Sequence, residues 1–108
     1  LSQISEIKLP KIDKNNTSAW AQFSIRIDKR DDVKDFLSNY EIPSAVYYPI
    51  PLNQQKALEN LNCNLPVGDY VSSQVLSLPM HPYLKESEVV NVCNVLSDCV
   101  EKMKLKEL

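Results

Sequence analysis

The sequence predicts a small α/β domain of the α+β type, a mainly antiparallel three-stranded sheet with helices packed on one face. Three observations predict it. An alternating segment near the start reads as a half-buried strand. Later segments repeat apolar residues at helical spacing, and two short apolar runs between them are bounded by prolines. At 108 residues, 44% of them hydrophobic, the chain is a single domain over residues 1–108 with enough apolar side chain for a core.

The elements follow in order. Ile7 to Leu9 is a short apolar piece ended by Pro10, and Lys14 to Ser18 is a polar loop. Ala19 to Ile27 alternates without a break. Ala19, Ala21, Phe23, Ile25 and Ile27 share one face, while Trp20, Gln22, Ser24 and Arg26 share the other. Asp28 is placed as the N-cap of a helix, with Asp31 as a weaker capping-box partner. Val33, Phe36, Leu37 and Tyr40 then follow at i, i+3, i+4 and i+7. Pro43 closes that unit, and Ala45 to Tyr48 reads as a second strand.

Asn53 to Leu61 has helix-forming composition, with Ala57, Leu58 and Leu61 on one face. Val67 to Val75 predicts a short helix after Pro66, and Leu76 to Leu78 a third strand before Pro79. The last helix is the strongest, with Val89, Val92, Cys93, Leu96, Val100 and Met103 in one stripe. The stretch VYYPIPLNQQ, residues 46–55, leads out of the second strand through a run that neither a helix interior nor a central strand would tolerate. Pro49 and Pro51 fix φ and remove two backbone donors, and each drives the residue before it toward extended geometry. The stretch reads as a stiff extended arm carrying tyrosines and amides.

Composition narrows the function. The net charge is −2, and acidic and basic residues are interspersed. A sequence-independent nucleic-acid surface needs clustered Lys and Arg, so no nucleic-acid partner is expected. No apolar run reaches membrane-spanning length and no signal-peptide pattern is present, so no membrane partner is expected either. Cys63, Cys93 and Cys99 lack CxxC spacing and neighbouring histidines, which argues against a metal site or a disulfide framework. Cys93 and Cys99 point about 120° apart on a helix at about 100° per residue. They read as buried or half-buried thiols in a reducing compartment, with a cytoplasmic location expected.

The residues that carry chemistry elsewhere form no complete site here. His81, the only histidine, sits beside Pro82 and reads as a surface or interface residue. Asp31 and Asp32 serve a helix dipole. The ten lysines lie in polar runs, with none in the desolvated setting that a Schiff-base lysine needs. Gly68 is the single glycine, whereas backbone that approaches a cofactor phosphate uses several. That scarcity, with a start at Leu1 rather than Met, reads as a piece of a larger protein. A Trp20 on the polar strand face predicts that something covers that face.

The arm, followed by Leu65-Pro66 and by the segment LSLPMHPYL at residues 76–84, resembles the C-terminal small domain of the DegT/StrS family of nucleotide-sugar aminotransferases. The likeness runs from about Ile7 to about Val100. It implies the small domain of a fold-type-I enzyme whose large domain, absent here, binds pyridoxal 5′-phosphate. It further implies a homodimer, with this domain on the lid side of the active-site cleft. The implied reaction transfers an amino group from glutamate to a keto-sugar nucleotide in cell-surface polysaccharide, lipopolysaccharide or amino-sugar biosynthesis.

Carried over by position, Tyr48 keeps the family's tyrosine, Tyr47 stands where many members have histidine, and Asn53 replaces a common histidine. All three are expected to bind substrate. An amide donates to a hydroxyl or phosphate but does not titrate near neutrality. Members acting on UDP-linked 3-keto uronic acids resemble this variant. The resemblance assigns no catalytic, cofactor-binding or metal residue to this chain. A non-catalytic binding module using the face from Trp20 to Arg26 stands as the alternative, and a thiol enzyme built on Cys63 and His81 as a third reading.

Overall fold

A computed structural model describes residues 1–107. Its elements are β1 (Phe23–Arg26), α1 (Arg30–Asn39), two 3-10 turns (Leu52–Gln54 and Lys56–Leu61), α2 (Pro66–Ser72), β2 (Val75–Leu78) and α3 (Glu86–Lys106). The strands pair antiparallel, with Phe23 opposite Leu78, Ser24 opposite Ser77, Ile25 opposite Leu76 and Arg26 opposite Val75. Alternation then sends Phe23, Ile25, Leu76 and Leu78 to one face and Ser24, Arg26, Val75 and Ser77 to the other.

The apolar face meets Val33 and Leu37 of α1 and Val92, Val95, Leu96, Cys99 and Val100 of α3 in one core, completed by Ile7, Ile27 and Ile42. Ile25, Val33, Leu37, Leu76 and Leu96 are fully buried. Truncating any of the leucines to alanine costs about 2–5 kcal/mol by lost transfer energy and cavity formation. The predicted stripe on α3 captures Val92, Leu96 and Val100. It misses Val95 and Cys99, which are buried, while Val89 is exposed. Burial spreads wider than the stripe because both α1 and the sheet lie against this helix.

The expected strand over Ala45 to Tyr48 is not formed, whereas the one at Leu76 to Leu78 is. Ala45 makes one isolated bridge, exchanging backbone hydrogen bonds with Ser77 at 3.1 and 2.7 Å, and the pairing stops there. The chain turns at Tyr47, and neither Pro49 nor Pro51 has an N–H to extend a ladder. Ile7 to Leu9 supplies a matching bridge on the other side, from Lys8 to Arg26. The sheet proper is two-stranded.

Other boundaries move for identifiable reasons. The strand begins at Phe23 rather than Ala19, because Trp20 adopts a left-handed φ of 49° that breaks the alternation. Helix α1 starts at Arg30 after Lys29, not from an Asp28 cap, because the Asp28 carboxylate accepts a hydrogen bond from Gln74 instead. Asn53 to Leu61 forms two 3-10 turns rather than one helix. Gln55, extended at ψ 140°, separates them, and the Asn53 side chain is tied to residues beyond the segment. Helix α2 takes Pro66 at its first position and ends at Ser72, releasing Val75 to the strand. None of its residues is buried, and its Tyr70 meets Arg26 on the polar face of the sheet, so only α1 and α3 cover the apolar face.

Candidate functional site

The polar face of the sheet and the arm leave the same corner of the molecule. Ser77 is buried, and its hydroxyl lies 2.8 Å from that of Ser24. Ala45 then carries the chain off the sheet to Tyr47 and Tyr48, whose rings meet edge to face at 5.7 Å. The arm runs along α2 and closes a cleft of about 380 Å³, walled by Tyr47, Tyr48, Ile50, Pro51, Leu52 and Gln55 on one side. Gly68, Val71, Ser72 and Val75 form the other side. Tyr47 also lines a second hollow of about 300 Å³, which reaches across Ala45 and Ser77 to Gln22 and Met80. Tyr47 is thus the partition between two openings on one face.

Side chains hold the arm in place. Gln55 Nε2 donates to the Ile50 carbonyl at 3.2 Å, a short clasp across the prolines. Asn53 Nδ2 donates to Asp69 Oδ1 at 3.2 Å and to the Cys63 carbonyl at 3.3 Å, joining the arm to α2. Of the three residues singled out in the sequence, Tyr47 and Tyr48 therefore stand together at the cleft. Asn53 does not line it. Its nitrogen braces the arm, and only its oxygen is left to accept from another molecule.

Beside this cleft the polar face carries a network that the sequence shows only in part. Arg26 Nε and Nη2 donate to Gln74 Oε1 at 3.1 and 3.0 Å, and Gln74 Nε2 donates to the Tyr70 hydroxyl at 2.9 Å and to the Asp28 carboxylate. Arg26 is visible as a polar strand residue. The only sign of Gln74 is a glutamine just ahead of an apolar strand, and nothing marks Tyr70. Trp20 lies at the edge of this face, its ring 5.4 Å from that of Phe23. Trp20 is half-buried, and Pro10 to Asp13 and Asn16 to Ser18 line a groove with it, Gln22 and Ser24.

The remaining candidates stand apart. His81 is exposed on a groove with Ile42, Pro43, Leu84 and Val92. Cys63 is exposed, and its sulfhydryl contacts the Leu61 carbonyl at 3.6 Å, with no hydrogen bond to His81 among the described residues. Cys99 is buried and Cys93 partly so.

Residues 1–97 match the DegT/DnrJ/EryC1/StrS aminotransferase family. The chain belongs to that family. It is 45% identical over 92 residues to a UDP-2-acetamido-2-deoxy-3-oxo-D-glucuronate aminotransferase of Pseudomonas aeruginosa, a stretch that is 85% of this chain and 26% of that protein. It is also 36% identical, over 92 residues, to a UDP-N-acetyl-3-dehydro-α-D-glucosamine 3-aminotransferase of Acidithiobacillus ferrooxidans, covering 84% of this chain and 25% of that one. A solved aminotransferase of the same family from Brucella abortus superposes with a TM-score of 0.80 at 40% identity, over 86% of this chain and 26% of that one. NtdA of Bacillus subtilis, solved with the bound cofactor PMP, superposes with a TM-score of 0.75 at 25% identity over 90% and 23%.

The chain spans about a quarter of the length of the curated relatives it matches. The family and its PMP-bound neighbour imply pyridoxal phosphate for such enzymes. The residues here do not fit the reactive end of that cofactor. All ten lysines are exposed, so none sits in the desolvated pocket that a Schiff-base lysine needs. Gly68 lies in α2, where an added Cβ would meet only ordinary contact with Leu65 at 3.8 Å, so it makes no close cradle for a phosphate. Among the described residues, no helix is long and apolar enough to cross a membrane.

Proposed function

We propose that this chain is the C-terminal small domain of a nucleotide-sugar aminotransferase, which passes an amino group from glutamate to a UDP-linked 3-keto sugar. A 3-keto uronic acid is the favoured substrate. The observation that carries this reading is the braced arm: Tyr47 and Tyr48 wall an open cleft in a chain whose relatives at 45% and 36% identity bear names of UDP-keto-sugar aminotransferases. In the complete protein, pyridoxal phosphate supplies the carbanion chemistry, and it is held by the portion outside this chain. This domain's part is orientation. The prolines fix the arm before substrate arrives, which lowers the entropy lost on binding, and the tyrosine hydroxyls donate to sugar or phosphate oxygens. The Asn53 oxygen accepts from a sugar hydroxyl while its nitrogen keeps the arm on α2.

The same reading predicts a cytoplasmic homodimer. Tyr48, Leu52 and Val67 are 71%, 73% and 75% exposed along the arm and α2, and a neighbouring subunit would cover them. Amino-sugar synthesis for cell-surface polysaccharide is the expected pathway class. The test is transamination by the complete protein that carries this chain, with glutamate as donor and UDP- and dTDP-linked 3-keto sugars compared. The UDP-linked uronic acid is expected to give the highest kcat/KM. Tyr48→Phe is expected to lower it about two- to tenfold, the worth of one hydrogen bond. No turnover with any nucleotide sugar sinks the proposal.

A further inference from the structure

Arg26 stands half-buried on the polar face of β1, next to the arm's corner of the sheet. Its guanidinium lies against the Tyr70 ring, 5.9 Å from the centroid, and two of its N–H groups donate to Gln74 Oε1. Gln74 is only 7% exposed, and its amide nitrogen holds the Tyr70 hydroxyl and the Asp28 carboxylate. One buried amide therefore fixes a cation, a phenol and a carboxylate at once.

A guanidinium has five N–H donors. Gln74 takes one on Nε and one on Nη2, which leaves two on Nη1 and one on Nη2. One hydrogen from each terminal nitrogen makes a parallel fork, the geometry that matches two oxygens of a carboxylate or phosphate. Among the described residues no carboxylate forms an ion pair with Arg26. Asp28, the nearest in the network, sits at the far end of the Gln74 amide. The Tyr70 oxygen already accepts from Gln74, so its own O–H remains to donate.

We propose that Arg26 and Tyr70, clamped by Gln74, form an oxyanion site that takes a phosphate group, here the diphosphate of a nucleotide. A carboxylate fills the fork with both of its oxygens and leaves the Tyr70 hydroxyl without an acceptor, whereas a phosphate brings a further oxygen to it. Only the nucleotide identity rests on the function proposed above; the site itself does not.

The test is side-chain NMR of the full chain labelled with nitrogen-15. Pyrophosphate and UDP are each expected to shift Arg26 Nε and the Gln74 amide saturably, uridine not at all, and acetate far more weakly. Arg26→Gln should weaken pyrophosphate binding about ten- to hundredfold, and Tyr70→Phe about two- to tenfold. Asp28→Asn should tighten it by removing a like charge from the network. If Arg26→Gln disturbs folding, as its amide spectrum would reveal, Tyr70→Phe and Asp28→Asn decide the matter. Unchanged pyrophosphate affinity in these variants overturns the site, and acetate binding as tightly as pyrophosphate overturns the phosphate assignment. In the complete protein, an unchanged KM for the nucleotide sugar in Arg26→Gln sinks this inference while leaving the aminotransferase reading intact. Saturable pyrophosphate binding without any transamination does the reverse.

Discussion

Replacing Glu41 by glycine is expected to stabilise the protein by about 1 kcal/mol. Helix α1 ends in a paired closure: the Glu41 N–H donates to the Ser38 carbonyl and the Ile42 N–H to the Leu37 carbonyl, both at 3.0 Å. This arrangement puts the residue after the C-cap in the left-handed region, and Glu41 has φ 57°. A side chain there costs about 1–2 kcal/mol, which glycine avoids. Glycine's greater freedom in the unfolded chain takes back about 0.5–1 kcal/mol. The carboxylate also faces the negative end of the helix dipole, an unfavourable placement of about 0.3–1 kcal/mol. Glu41 makes no side-chain hydrogen bond or ion pair among the described residues and is exposed, so its removal breaks nothing.

Urea denaturation with an unchanged m-value is the assay, and a rise in Tm of about 4–8 °C per kcal/mol should accompany it. Two controls separate the contributions. Glu41→Gln recovers only the dipole part, and Glu41→Ala keeps the left-handed cost. If glycine proves no better than alanine, backbone conformation does not limit stability at this turn and the reasoning fails.

Arg30 is 6% exposed and its Nη1 donates to the carbonyls of Ser72 and Val75, each at 3.0 Å, so Arg30→Met strands two acceptors and should cost about 2–4 kcal/mol in the same denaturation experiment. A loss under 1 kcal/mol, the net value of one ordinary hydrogen bond, would mean that water replaces the guanidinium. The Lys104 ammonium hydrogen-bonds the Glu6 carboxylate at 2.7 Å and holds its carboxyl below the usual range. Its stabilisation is therefore present above the unfolded-state pKa and is lost as pH falls through the folded-state value. Glu6→Gln should flatten the acid side of the stability profile, and the difference should shrink in high salt because the pair is exposed. Burial pushes the Cys99 thiol up, whereas Cys63 is exposed. Mass spectrometry after brief alkylation near neutral pH should find Cys63 modified and Cys99 untouched until the protein unfolds; equal rates would contradict the packing.

Period and spacing carried the core. The alternation of Phe23, Ile25 and Ile27 put the right residues inside, and the stripe on the last helix placed Val92, Leu96 and Val100 there but missed Val95 and Cys99. Boundaries failed where a side chain found a distant partner. Asp28 would cap a helix on local grounds but bonds to Gln74, and Asn53 would join a helix but reaches Asp69 and Cys63. Such partners are invisible to spacing because they join residues 10, 16 and 46 positions apart, beyond any helical or strand repeat. Proline chemistry marked the arm, although it bends at Tyr47 and coils into a 3-10 turn at Leu52–Gln54 instead of staying extended, and its two tyrosines share a cleft. The Arg26 network was only half legible: the arginine shows in the alternation, but the amide that orients it comes from a turn with no pattern of its own.

A ribbon of two strands ordinarily presents two open rows of backbone donors and acceptors to any passing chain, a standing invitation to fibril growth. Here each row is stoppered. On the β1 side, Lys8 gives and takes one hydrogen bond with Arg26 at 2.8 and 2.9 Å, then Pro10 ends its segment. On the β2 side, Ala45 occupies Ser77, and the guanidinium of Arg30 occupies the carbonyl of Val75. The failed strand at Ala45 is thus a plug: long enough to deny the next molecule a foothold, and too short, with Pro43 and Pro49 on either side, to recruit one itself.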